Sequence, residues 1–90
     1  MVKVNIDVDN TLIHGSKGKV KPETIKLLKD FQNKGYQVTV WSRRGKKHAQ
    51  EVGNRIKLDN VHYASKNTKH NKPDIAVDDK EKLGKRNILI

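Results

Sequence analysis

Val2, Val4, Ile6 and Val8 alternate with Lys3, Asn5 and Asp7. A period of two predicts a strand over residues 2–8 that is covered on one face only. Residues 10–21 carry Gly15, Ser16 and Gly18 and read as a loop. Pro22 suits a first helical turn and Glu23 suits its positive end. Ile25, Leu28 and Phe31 recur at helical spacing, with Leu27 alongside, and Gly35 fits a cap past the end. These signals predict a helix over about 22–34. A second strand follows from Tyr36 to Trp41, then a loop from Ser42 to Gly45. Ala49, Val52 and Ile56 form one stripe, which predicts a second helix over about 46–57. Val61 to Ala64 reads as a third strand, Asp74 to Asp78 as a fourth, and Asn87 to Ile90 as a short fifth strand at an edge. Residues 65–73 show no periodicity and read as loop.

Strands alternating with helices imply an α/β fold, here a small Rossmann-like parallel sheet of four or five strands with right-handed crossovers. Successive crossovers in one direction place their helices on one face. Both predicted helices belong to such crossovers. The connection from the third strand to the fourth should cover the opposite face, and it carries no helical pattern. A two-layer domain is therefore expected, with helices mainly on one face and at most a turn of helix near 79–85. Lys3, Asn5, Gln37 and Thr39 would then lie on an uncovered or partly wet face.

Composition adds three limits. Ninety residues make one domain, 1–90, near the small end of what folds alone. The apolar share is 33%, against about 45–50% in ordinary domains, so the core must be thin. Cysteine is absent, which removes disulfide and thiolate chemistry. The N-terminal residues hold no unbroken apolar run, because Lys3, Asn5 and Asp7 interrupt it. No signal peptide and no membrane span is read, and a cytoplasmic protein is the expectation.

The candidate chemistry sits at strand ends. The first strand runs into Asp7-Val8-Asp9-Asn10-Thr11, and the fourth ends in Asp78-Asp79. Open parallel sheets bind ligands beyond the carboxyl ends of their strands. Two such carboxylate groups side by side supply the oxygen ligands that Mg²⁺ prefers. One carboxylate of the first pair can attack and the other can shuttle a proton. An Asx-type turn that merely ends a strand is the plain alternative for Asp7 and Asp9.

Asp-x-Asp-x-Thr after a first strand, Ser42 after a second, a later lysine and Asp78-Asp79 after a further apolar strand resemble the haloacid dehalogenase superfamily of phosphotransferases. The likeness covers about residues 2–90. It implies that Asp7 attacks phosphorus and carries an aspartyl-phosphate, with Asp9 as the acid and base. It implies Mg²⁺ held by the Asp7 carboxylate, the Asp9 carbonyl and Asp78. Ser42 would hold the phosphoryl group, with Arg43 and Lys72 beside it. Lys72 is the best match for the family's lysine, although Lys66 and Lys69 share its loop. The dehalogenase branch lacks the second aspartate, so Asp9 points to a phosphatase. Residues 10–21 correspond to the flap over the site. Asp79 either binds the metal through water or orients the site, and Thr11 braces the loop. His14, His48, His62 and His70 lack a metal-site spacing and read as surface or boundary residues, with His14 in the flap.

Charge bears on the substrate. The formal net charge is +10, and such a charge draws polyanions. Segments 17–21, 43–47, 66–72 and 80–86 hold fourteen of the twenty basic residues and one acid, Glu81. All four follow strand ends. Lysines that simply solubilise loops are one reading. A substrate with more charge than one phosphate, such as a nucleotide or a nucleic acid end, is the sharper one. Aromatics are 4% of residues, so base stacking would be sparse. About 30 residues separate Asp9 from Ser42 and about 35 separate Ser42 from Asp78. Neither interval has room for a cap domain. An open site admits large substrates, or is closed by a homo-oligomer formed through the uncovered sheet face. The expected function is Mg²⁺-dependent phosphomonoester hydrolysis. The alternatives are a small sugar or metabolite phosphatase and a non-catalytic nucleic-acid-binding domain.

Overall fold

In the computed structural model, which describes residues 1–90, the chain forms five parallel strands and two helices. The elements are β1 (Lys3–Asp7), α1 (Pro22–Asn33), β2 (Gln37–Ser42), α2 (Lys46–Arg55), β3 (His62–Ser65), β4 (Ile75–Asp78) and β5 (Arg86–Leu89). The strand order is β3-β2-β1-β4-β5. The chain therefore leaves β1 toward one edge through β2 and β3, then returns to build the other edge through β4 and β5. β1 and β4 flank the point where the direction reverses, which is where open α/β sheets bind ligands.

Register decides the faces. Val4 pairs with Val38 and with Ile75, and Ile6 pairs with Val40 and with Val77. All of these except the half-buried Ile75 are fully buried, and they form the core with Leu28 and Phe31 of α1 and Ala49 and Val52 of α2. α1 starts at Pro22 with Glu23 in its first turn. It ends as the sequence predicts, with Gly35 at φ +80°. The Gly35 N–H donates to the Gln32 carbonyl and the Tyr36 N–H to the Phe31 carbonyl, a Schellman pairing. Thr24 is buried as well, and its hydroxyl donates to the Thr11 carbonyl at 2.6 Å, tying α1 to the loop after β1. In α2, Gly53 lies directly against Tyr63, and a Cβ there would run into the Tyr63 ring.

The opposite face has two parts. Near the strand starts, Lys3 is exposed and Asn5, Gln37 and Thr39 are half-buried, as expected of an open face. Near the strand ends, Asp7, Trp41 and Asp78 are buried. No helix covers them, and neither 65–73 nor 79–85 is helical. Irregular chain covers them instead. His70 sets its ring edge-on to Trp41 at 4.8 Å between centroids, and Gly84 packs directly on Ala76. The Trp41 Nε1 is buried without a hydrogen-bond partner, at a cost of about 1–3 kcal/mol that the ring's packing offsets. No domain is inserted between the elements, and no helix is long and apolar enough to cross a membrane.

Candidate active site

Asp7 is the last residue of β1 and points to the helix-free face, opposite Ile6. The turn after it is tight. The N–H groups of Thr11, Leu12 and Ile13 all donate to the Val8 carbonyl, and Asn10 takes φ +62°. The turn brings Thr11 back, so that its hydroxyl donates to Asp7 Oδ2 at 3.1 Å.

A buried ion-pair cluster surrounds Asp7. Lys66 Nζ lies 2.6 Å from Asp7 Oδ1 and 2.6 Å from Asp78 Oδ2, with its side chain 1% exposed. Asp78 ends β4, the strand beside β1, and its Oδ1 accepts from the N–H groups of Lys80 and Glu81. These partners separate the two carboxyl groups. Burial and the nearby Asp78 charge push the Asp7 carboxyl up from the usual 3.8 to about 6, even though Lys66 and Thr11 pull it down. Burial also opposes ionisation of Asp78, but Lys66 and the two backbone N–H groups win and hold it below the usual carboxylate range. Burial opposes the Lys66 charge too, yet the carboxylates on either side raise its pKa and keep it an ammonium.

Asp9 sits in a different setting. Arg44 Nε donates to its Oδ2 at 2.7 Å, and His48 Nε2 lies 2.8 Å from its Oδ1. Ser42 ends β2 fully buried, and its hydroxyl accepts from the Arg44 N–H at 3.0 Å. α2 follows with no side-chain cap and no acid of its own in its first turn, and the carboxylate nearest that turn is Asp9, held by His48. Arg43 is strapped across three loops. Its guanidinium meets Glu81 at 2.6 and 3.2 Å and reaches the Lys66 carbonyl at 3.3 Å, while Asn67 donates to the Arg43 carbonyl.

A cavity of about 240 Å³ joins these groups. Asp7, Asp9, Ser42, Arg43 and Asp78, all expected from the sequence, line it together with Asp79. Lys72 does not. It is exposed, as is Lys69, and the lysine at the carboxylates is Lys66. The reason is topological. Ser65 pairs with Ser42 at the end of β3, so Lys66 emerges at the same sheet edge as Asp7, Ser42 and Asp78. By Lys72 the chain has travelled on toward the start of β4. His14 and His62 are exposed and His70 packs on Trp41. His48 is a boundary residue as expected, half-buried, but it also grips Asp9, which the sequence pattern did not predict. Its sequence signal was its place in the first turn of a helix that follows the Ser42 loop.

Asp7, Asp78 and Asp79 present carboxylate oxygens within 4.8 Å of one another. An all-oxygen set suits a hard divalent cation. The balance of the cavity agrees, because Asp7, Asp9, Asp78, Asp79 and Glu81 outnumber Arg43, Arg44, Lys66 and Lys80.

This fold and this strand-end set define a Rossmann-like α/β domain with an acidic site at the carboxyl ends of β1 and β4. A family model described as haloacid dehalogenase-like hydrolase matches residues 4–82, and the chain belongs to that family. No curated protein and no solved structure matches it.

Proposed function

We propose that the chain is a Mg²⁺-dependent phosphomonoester hydrolase that works through an aspartyl-phosphate on Asp7. The buried Asp7–Lys66–Asp78 cluster, with Asp79 alongside, is the observation that carries this reading. Asp7, Asp78 and Asp79 would hold the ion by their carboxylates, and by family resemblance the Asp9 carbonyl would join them. When bound, Mg²⁺ supplies charge neutralisation on the nucleophile and the phosphoryl group. The chain's own groups do the rest. Lys66 and Thr11 hold the two oxygens of the Asp7 carboxylate, which fixes it for in-line attack. A bond forms from the Asp7 carboxylate to phosphorus as the ester oxygen leaves with a proton from Asp9. Asp9 then takes a proton from the water that hydrolyses the acyl-phosphate, returning Asp7. The Lys66 ammonium stays beside the phosphoryl group throughout and offsets its charge. The Ser42 hydroxyl, which lines the cavity at the end of β2, holds a phosphoryl oxygen. Arg43, already bound to Glu81, acts mainly by holding the rim together.

The test is phosphate release from an aryl phosphate with Mg²⁺, with chelator, and with Asp7→Asn. Turnover that needs the metal and is lost in the variant supports the reading. Folded protein that releases no phosphate from that ester or from end-phosphorylated oligonucleotides contradicts it.

A further inference from the structure

A second cavity, of about 340 Å³, adjoins the first. It lies between the flap and α2, and Lys17, Arg44, His48, Glu51, Val52 and Arg55 line it. Arg44 lines both cavities, so the two meet at its side chain. Their charge differs in sign. The first holds more carboxylates than cations, whereas here Lys17, Arg44 and Arg55 face the single carboxylate of Glu51, which makes no ion pair.

The donors are partly uncommitted. Arg44 uses Nε on Asp9, and its two terminal nitrogens make no hydrogen bond within the chain. The Lys17 ammonium has no partner. Arg55 donates to the Lys17 and Gly18 carbonyls at 3.4 and 3.0 Å, which holds the flap over the cavity. Of these three cations only Arg44 has an acid partner, Asp9, so the cavity keeps a surplus of positive charge that favours an anion. Guanidinium forks suit phosphate oxygens.

We infer that this cavity binds a second phosphoryl group of the substrate, next to the one that Asp7 attacks. The inference rests on the proposed phosphatase reading and names its substrate class: a phosphomonoester with another phosphate close by. That second phosphate is either part of a small bisphosphate or the next phosphodiester of a strand. Arg44 then touches both sites, with Nε on Asp9 and its terminal nitrogens on the second phosphate.

The experiment is calorimetric titration of the folded protein in Mg²⁺, made hydrolytically silent by Asp7→Asn. The probes are a nucleoside 5′-monophosphate, a nucleoside 3′,5′-bisphosphate and a 5′-phosphorylated dinucleotide. Charge-assisted contacts predict binding about tenfold or more tighter for a probe with the second phosphate. Lys17→Gln should shrink that ratio and Glu51→Gln should enlarge it. These opposite directions separate a specific site from damage to the fold. A preference shown by the bisphosphate alone identifies a small substrate, and one shown by the dinucleotide alone identifies a strand. Equal binding of all three probes, or a ratio that neither variant moves, overturns the inference. Turnover by the unmodified protein is measured in parallel. Hydrolysis of the monophosphate with no binding preference sinks the second site and leaves the phosphatase standing. A preference without any hydrolysis sinks the phosphatase reading and leaves an anion-binding site.

Discussion

The two faces of the sheet have divided the work between them. On the helix side, Val4, Ile6, Val38, Val40 and Val77 are buried under apolar side chains of α1 and α2 and carry no polar atom. On the other side the strands begin open and polar at Lys3, Asn5, Gln37 and Thr39, and end buried at Asp7, Trp41 and Asp78. Burial thus does opposite things on the two faces. It lowers the free energy of the helix side by removing hydrocarbon from water. On the other side it raises it, because desolvating Asp7 penalises the charge that Lys66 then partly restores. The apolar packing of the helix side offsets the cost of burying this charge cluster. Side chains one residue apart on β1, such as Ile6 and Asp7, belong to these separate tasks.

Substitutions should separate the tasks. Asp7→Asn should cut turnover by at least about 10³-fold, as removal of a nucleophile does, with the thermal midpoint retained or raised. Phosphate-release assays and a melting scan check both halves. Lys66→Ala should lower turnover by about 10²–10³-fold, as loss of a charge that stabilises the transition state does. Lys72→Ala should leave it within about twofold, as for an exposed lysine away from the site. Comparable losses in both lysine variants would undo the assignment of Lys66. Ile6→Ala should cost about 2–5 kcal/mol of stability in denaturant titration, with the activity of the folded fraction preserved.

The pH dependence of stability sharpens the contrast further. The Asp7 carboxyl titrates near 6 when folded and near 3.8 when unfolded, so the folded state holds its proton longer. Its contribution to stability is therefore lost as pH rises from about 4 to about 6, by roughly 3 kcal/mol in metal-free protein. Asp7→Asn should lack this component when the two proteins are unfolded side by side in chelator. Thr39→Ala, on the open part of the same face, should change stability by about 0.5 kcal/mol or less.

The helix face was legible in the sequence because it is a matter of period. Val4, Ile6, Val38 and Val40 alternate, Leu28 and Phe31 recur at helical spacing, and register then brings them together. The acidic strand ends were legible for a related reason. Asp7, Ser42 and Asp78 each follow an apolar run, and parallel strands end at one edge. Lys66 was not separable from Lys69 and Lys72 by composition, since all three lie in a lysine-rich stretch without period. Only the pairing of Ser65 with Ser42 places it. The grip of Arg44 and His48 on Asp9 depends on how α2 is rotated against the end of β1, which no local pattern encodes. Trp41 is buried by irregular chain around His70, and such packing leaves no periodic trace.

The central claim is that Asp7 carries the phosphoryl group. Its most direct test is to acid-quench the enzyme during turnover of an aryl phosphate in Mg²⁺ and to map the modified peptide by mass spectrometry. The account predicts one added phosphoryl group on the peptide that contains Asp7, absent in chelator and absent in Asp7→Asn. Turnover with no phosphoryl group on that peptide, and a rate that survives Asp7→Asn, would contradict it.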